Sequence, residues 1–382
     1  MLKNEVVMRI LFYLLLLFCV QSLCGQVDIA KLDKNFAVVK VGNLEVAYHD
    51  ALLAPFKLEG FPFWKKGEPL RRIPSDIGAN DINAGVYELA NYTSGGVIRF
   101  RTNSPYITLR AILRNRYQMM GKMAMTGSSG FDFFADKDTY ITTVNPLANG
   151  RDIPEPLEVL LAKDCPSKMR DYTLYLPLYN GVKSIEIGVA PTARVESPTP
   201  HKIKKPIVFY GSSITNGGCA TRTSLVYPAL LSRAVDAPMV NLGFPGCAKG
   251  ESKMAEVISR LEMSLFVYDY DFNAPNATHL AKTHEPFFKI IRKRHPNLPI
   301  IMLSRIAEAT DERASIVRRT YENAKKSGDK NVWFIDGRDL VKDVPFALIT
   351  IDGIHPNDLG FYLMYKNLLP TLKEALRKNN KY

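Results

Sequence analysis

Residues 207–218 read Ile207-Val208-Phe209-Tyr210-Gly211-Ser212-Ser213-Ile214-Thr215-Asn216-Gly217-Gly218: a compact apolar run that breaks straight into glycines and hydroxyls. An uninterrupted apolar run this short suits a strand covered on both faces, because a half-exposed strand would alternate. The pattern recurs in Met239-Val240-Asn241-Leu242, Leu265-Phe266-Val267-Tyr268, residues 299–303 and Val332-Trp333-Phe334-Ile335. Between these runs, helical spacing marks 227–235, 253–261, a segment ending at His295, a segment within 311–327 and finally 360–376. Alternating β and α units imply a parallel sheet covered by helices on both faces. Ligands of such sheets bind beyond the carboxyl ends of the strands, so the function should lie in those loops.

Upstream the grammar changes. Residues 196–205 turn to Ser, Pro, Thr, His and Lys, with Ser197-Pro198-Thr199-Pro200 inside, the composition of a domain seam. Before it, residues 27–194 read as short strands. Val97-Ile98-Arg99-Phe100-Arg101 alternates apolar and basic, Asn103-Ser104-Pro105 interrupts, and Tyr106-Ile107-Thr108-Leu109-Arg110 alternates again. Residues 173–179 end at Asn180-Gly181, a strong hairpin dipeptide, with 182–189 as the returning strand. These signals predict an antiparallel, jelly-roll-like β-sandwich over 26–195 ahead of an α/β domain over 196–382. Nothing in the sandwich half has a catalytic constellation.

The first 25 residues have their own logic. Lys3 and Arg9 precede an apolar stretch over 10–20, followed by Gln21-Ser22-Leu23-Cys24-Gly25. That stretch is shorter than the roughly 20 residues a membrane span needs, and it reads as a secretory signal peptide over 1–25, with Met8 as an alternative start. Lipoprotein anchoring through Cys24 is the lesser alternative, since Leu23 is large where a small residue is wanted. The expectation is a secreted or periplasmic protein with no stable membrane insertion once the leader is removed.

Composition narrows the classes. Over 382 residues, 46% hydrophobic and 23% charged residues exclude wholesale disorder, and aperiodic Gly and Pro exclude a collagen-like chain. Lys plus Arg exceed Asp plus Glu by 50 to 38, a formal +12. The excess is diffuse, and its densest cluster, Lys289, Arg292, Lys293, Arg294 and His295, sits on an amphipathic helix and reads as a solvated face. No zinc-ligand array, RNA-binding signature or phosphate loop is present, so nucleic acid is not an expected partner. After the leader, Cys165, Cys219 and Cys247 are too few for a disulfide framework and lack metal-ligand spacing.

The strand-end loops carry the chemistry. Ser213 follows the first strand, Asn241-Leu242-Gly243-Phe244-Pro245-Gly246 the second, and Asp269-Tyr270-Asp271-Phe272-Asn273 the third; Asp352-Gly353-Ile354-His355-Pro356-Asn357 precedes the last helix. The serine turn is neither a G-x-S-x-G elbow, because Thr215 stands where the second glycine would be, nor a P-loop. A serine needs a base in hydrogen-bond reach, and the base needs a carboxylate to fix its tautomer; Asp352 and His355 at the same sheet mouth would supply both.

Taken together, these four blocks resemble the SGNH (GDSL-type) hydrolase family: Gly211-Ser212-Ser213-Ile214, Gly246, Asn273, and Asp352 three residues before His355. The likeness spans the C-terminal half, and Gly217-Gly218-Cys219-Ala220 is similar to secreted bacterial members with an N-terminal sandwich. Gly130-Phe131-Asp132-Phe133-Phe134 resembles the motif of that leading domain. The resemblance implies a flavodoxin-like α/β/α sandwich, no metal or other cofactor, and ester hydrolysis through an acyl-serine. It implies Ser213 as nucleophile, His355 as base and Asp352 as orienter, with the backbone N–H groups of Ser213 and Gly246 and the amide of Asn273 as oxyanion hole. Two alternatives stay open: Asp352 only caps its turn, leaving a Ser–His dyad, and Asn276 takes the place of Asn273. Ser212 stands where the family usually has Asp. Cys219 and Cys247 flank the serine and glycine blocks, so a bridge between them is the pairing to test against free thiols.

The leading expectation is therefore a secreted serine esterase acting on an acylated carbohydrate or another small ester, removing acetyl or a short acyl group. A catalytically idle glycan-binding protein and a lipid-acting acylhydrolase are the alternatives.

Overall fold

The computed structural model describes residues 41–116, 120–147, 152–306 and 311–378. The leader, Cys24 and the first residues assigned to the sandwich lie outside them. Among the described residues, ten strands form the first half: β1 (Ala47–Asp50), β2 (Lys57–Glu59), β3 (Val97–Thr102), β4 (Ile107–Leu113), β5 (Phe131–Ala135), β6 (Thr139–Val144), β7 (Leu157–Ala162), β8 (Arg170–Tyr175), β9 (Val182–Val189) and β10 (Val195–Glu196). The short helices α1 (Ala84–Leu89) and α2 (Met125–Ser128) sit in the connections. One antiparallel sheet runs β1-β9-β4-β7; the other runs β10-β3-β8-β5-β6, with β2 beside β3. The alternation read in the sequence is that of the sandwich: Ile98 and Phe100 are buried while Arg99 and Arg101 reach outward. The core between the sheets is aromatic, with Tyr172 stacked on Phe133 and Phe100 at 5.4 and 5.6 Å.

Asn180-Gly181 is not a hairpin. β8 and β9 belong to different sheets, and the dipeptide carries the chain across the sandwich. The buried Asn180 side chain accepts from the backbone N–H of Asn115 at 3.0 Å and donates to the Asn115 carbonyl at 2.8 Å and Ser129 Oγ at 3.1 Å. A Cβ on Gly181 would lie 2.6 Å from the Asn91 carbonyl oxygen, so this glycine serves close packing rather than a tight turn.

The second half is the alternating βα unit. β11 (Ile207–Gly211), β12 (Met239–Gly243), β13 (Leu265–Asp269), β14 (Ile300–Leu303) and β15 (Val332–Ile335) form a parallel sheet in the order β12-β11-β13-β14-β15. Around it lie α3 (Ser213–Asn216), α4 (Tyr227–Val235), α5 (Ser252–Ser259), α6 (Ala277–Arg294), α7 (Asp311–Lys326), α8 (Phe346–Ile349) and α9 (Asp358–Lys378). Successive residues of β11 feed two cores on opposite faces. Ile207 and Phe209 pack with Leu231 of α4 and Phe361 and Leu368 of α9, whereas Val208 and Tyr210 pack with Ile258 of α5 and Phe287 and Ile291 of α6. That double coverage is why these strands read as unbroken apolar runs. On α6, Lys289 pairs with Glu285 at 2.8 Å and Arg292 with Asp329 at 2.7 Å, so part of the basic cluster is neutralised locally.

From residue 40 onward the two halves are one unit. Asp132, the acid of the Gly130-Phe131-Asp132 motif, is fully buried and accepts from the backbone N–H and hydroxyl of Ser224. Arg72, equally buried, donates to the carbonyls of Asn241 (3.0 Å), Gly243 (2.9 Å) and Leu89 (2.8 Å).

Candidate active site

β11 ends at Gly211, and the chain turns at once into α3. Ser212 caps that turn, its hydroxyl accepting from the Ile214 N–H at 3.1 Å, so the residue standing in place of the family's usual Asp has a local structural job. Ser213 follows as the first helical residue, and Gly217, in a left-handed conformation, ends the helix after a single turn.

The last loop brings an imidazole to this hydroxyl. His355 Nε2 lies 2.8 Å from Ser213 Oγ, and His355 Nδ1 lies 3.0 and 3.3 Å from the two carboxylate oxygens of Asp352. The sequence separates Ser213 from His355 by 142 residues, and the fold closes that gap to hydrogen-bond length. Asp352 also accepts the backbone N–H groups of Ile354 (3.1 Å) and His355 (2.8 Å), so turn cap and imidazole partner are one group. Burial alone would raise the Asp352 carboxyl, but the His355 N–H, the imidazole and the Lys122 ammonium outweigh it and hold the acid well below the ordinary carboxylate range. It is a carboxylate at any working pH.

Gly218 makes room for this arrangement. A Cβ there would stand 3.1 Å from the imidazole Cδ2 and 2.8 Å from the Tyr179 hydroxyl. On the other side, Gly246 adopts φ +67°, a backbone conformation natural to glycine, and nothing stands within 4 Å of where its Cβ would be. Asn273 donates its amide to the Phe244 carbonyl at 2.9 Å, which ties it to the glycine block. Asn276 does something else: its side chain accepts from the His279 N–H at 2.8 Å and caps α6. The geometry thus joins Asn273, not Asn276, to the loop carrying Gly246.

Of the two alternatives for Cys219 and Cys247, the structure has free thiols, as it does for Cys165. Cys219 faces the imidazole side, lining a pocket with His355, whereas Cys247 packs its sulfur against Gly85 of α1. The Cys219 thiol is pushed up by burial and by the Asp352 charge, which disfavours thiolate chemistry there. Among the described residues, no three His, Cys, Asp or Glu side chains cluster as a metal site.

Sequence reasoning marked no individual residue of the sandwich for the site. Lys122 reaches across to Asp352, with Nζ 3.3 Å from Oδ2, and Tyr179 places its hydroxyl 3.5 Å from the Ser213 carbonyl. Lys122, Met120, Met123 and Tyr179 line a pocket of about 320 Å³ together with Gly218, Cys219, Asp352 and His355. No signal marks Met120, Lys122 or Met123, because residues 114–129 are neither periodic nor motif-bearing, and Tyr179 reads only as the last residue of a strand run.

Comparison with known proteins bears on both halves of the chain. Residues 204–373 match the family of GDSL-like lipases and acylhydrolases, and residues 46–195 match the N-terminal domain of SGNH hydrolase-type esterases. The chain belongs to the SGNH (GDSL-type) hydrolase family, in the form that carries this leading sandwich, and its class is that of ester hydrolases. A structure from Bacteroides ovatus described as a GDSL-like lipase is 28% identical, with a TM-score of 0.76 over 87% of this chain and 98% of that one. The salicylyl-acyltransferase SsfX3 of a tetracycline biosynthetic pathway shares the fold at 19% identity and a TM-score of 0.72, over 86% and 97% of the two chains. The acetyl xylan esterase Est2A of Butyrivibrio proteoclasticus shares it at 13% and 0.58, over 87% and 98%. No curated protein matches the chain.

Proposed function

We propose that the protein is a secreted serine esterase, with its sandwich at 26–195 and its hydrolase domain at 196–382, that removes acetyl or another short acyl group from a carbohydrate. The observation that carries this reading is the continuous relay from Ser213 Oγ through His355 Nε2 and Nδ1 to Asp352. Ser213 attacks the ester carbonyl and its proton passes to His355. The tetrahedral oxyanion sits on the backbone N–H groups of Ser213 and Gly246 and the amide of Asn273. His355 returns the proton to the leaving alcohol, and water, activated by the same imidazole, releases the acid from the acyl-serine. Asp352 fixes the imidazole tautomer and offsets its charge. The carbohydrate part of the proposal draws support from the carbohydrate esterases that share this two-domain fold.

Turnover of p-nitrophenyl acetate tests the reading. The wild type should release nitrophenol, and Ser213→Ala should lower kcat by roughly 10⁴-fold or more. No turnover by the wild type, or equal turnover by the variant, would leave the idle glycan-binding alternative. The lipid-acting reading keeps one specific observation on its side: Leu348, Ile351, Ile354 and Leu359, around the Asp352–His355 loop, are large apolar residues exposed to solvent. Among the described residues no helix is long and apolar enough to cross a membrane. A chain-length series of nitrophenyl esters decides between the two, with a maximum at acetyl expected for the carbohydrate esterase.

A further inference from the structure

The pocket beside the imidazole has a direction. It is walled by His355 and Asp352, yet none of Ser213, Phe244, Gly246 or Asn273 contributes to it. The reacting carbonyl must lie between Ser213 Oγ and the oxyanion donors, so its oxygen points toward the Gly246 and Asn273 loops. The atom that leaves must come within hydrogen-bond reach of His355 Nε2, since that nitrogen returns the proton. What extends past the imidazole, away from the oxyanion donors, is therefore the alcohol half of the ester and not the acyl half.

Its far wall comes from the sandwich: Met120, Gly121, Lys122, Met123 and Tyr179. At about 320 Å³ it offers room for about ten water-sized units at ~30 Å³ each, the size of one six-membered ring with a substituent. Two thioethers, a thiol and a phenol ring give a soft, apolar lining suited to the C–H face of a ring. On the far wall Lys122 supplies a polar edge: it is paired to Asp352 through one direction of its ammonium but 65% exposed at the side chain, which leaves donors for hydroxyl groups at the ring's edge.

We propose that residues 120–123 of the sandwich, with Tyr179, form the subsite for the leaving alcohol, and that this subsite selects a ring-sized alcohol with one apolar face and a polar edge. The inference rests on the esterase reading and deepens it: alcohol specificity is built by the N-terminal domain, and acyl specificity elsewhere.

Two substrate series separate the halves of the ester. In one, the acyl group is acetyl and the alcohol changes from ethyl to cyclohexylmethyl, which have similar leaving-group strength. In the other, the alcohol is ethyl and the acyl chain lengthens from acetyl to hexanoyl. Nothing stands within 4 Å of a Cβ on Gly121, so Gly121→Phe can be placed without a clash at that atom and should fill the pocket. Its kcat/KM ratio for cyclohexylmethyl over ethyl acetate should fall about tenfold, with the acyl-chain series parallel to wild type. Lys122→Ala, on an exposed side chain, should fold normally and lose preference for a monoacetylated methyl glycoside over cyclohexylmethyl acetate. A shift of the acyl-chain series instead, or unchanged alcohol selectivity in both variants while ethyl acetate is still cleaved, would overturn the subsite. Absence of wild-type turnover on every ester would strike the esterase reading itself, so the two failures are distinct.

Discussion

Asp352 binds two kinds of donor in one short loop, and that dual use can be resolved by substitution. Its carboxylate accepts two backbone N–H groups of its own turn as well as the imidazole. An amide keeps an acceptor for the turn but removes the negative charge facing the imidazole. Asp352→Asn should therefore fold with little loss of stability while kcat falls by roughly 10³–10⁴, as expected when a triad acid loses its charge. A fall of less than tenfold would reduce Asp352 to a turn cap and leave a Ser–His dyad. At this scale the sequence was informative wherever chemistry dictated residue type. Ser213 stands in the turn after β11, and Asp352 and His355 in the loop before the last helix, where no packing demand explains them. Lys122 and Tyr179 were illegible for the opposite reason. A lysine in an irregular connection and a tyrosine past a strand end are ordinary residues until the fold sets them beside the imidazole.

The end of β13 shows what an element can hide. Asp269 is buried and accepts from the hydroxyls of Thr215 (3.0 Å) and Tyr227 (3.0 Å), behind the turn that carries Ser213. Burial, with Asp271 nearby, pushes its carboxyl up to about 8, against those two hydroxyls; burial likewise pushes Asp271 up to about 6. A folded-state value raised above the unfolded carboxylate range means the native state holds the extra proton. Stability must then fall as pH rises through that interval, by up to about 1.4 kcal/mol per pH unit for each proton concerned. Between about pH 7 and 8 this slope belongs mainly to Asp269 of the pair. Asp269→Asn should accordingly flatten the decline of melting temperature from pH 6.5 to 8, and parallel wild-type and variant curves would show that the carboxyl carries no such burden. The strands and the five longer helices of this half were readable because β11 to β14 are buried along their whole length and each of those helices on one face; the single-turn helices α3 and α8 carry no such period. Asn180-Gly181 misled because a local turn preference cannot tell whether the next strand stays in the same sheet; buried hydrogen bonds to Asn115 and Ser129 decide that, and they come from distant chain.

At the scale of the whole molecule, the sandwich is built into the candidate site rather than appended to it. Ser94 Oγ donates to the Asn216 carbonyl at the end of α3, the helix that Ser213 opens, and the Asn216 amide donates back to the Leu178 carbonyl, at 2.6 and 3.0 Å. Arg72 does the same for the neighbouring strand. Its guanidinium, fully buried with its pKa brought down to about 9 by burial, spans the carbonyls of Asn241 and Gly243 at the mouth of β12 and also reaches Leu89. Those carbonyls lie directly before the turn that holds Gly246. A planar fork can satisfy three carbonyls at once; an ammonium on a narrower stem cannot match that geometry. Arg72→Met would leave buried acceptors unpaired, at about 1–3 kcal/mol each. The expected outcome is a destabilised protein whose residual folded fraction, measured below its melting transition, also has a lower kcat because the Gly246 loop has lost its anchor. Arg72→Lys should rescue the charge but neither the melting temperature nor kcat in full. If Arg72→Met melts like the wild type, or melts earlier yet keeps wild-type kcat at low temperature, then the two halves are joined at this point without the sandwich governing the site.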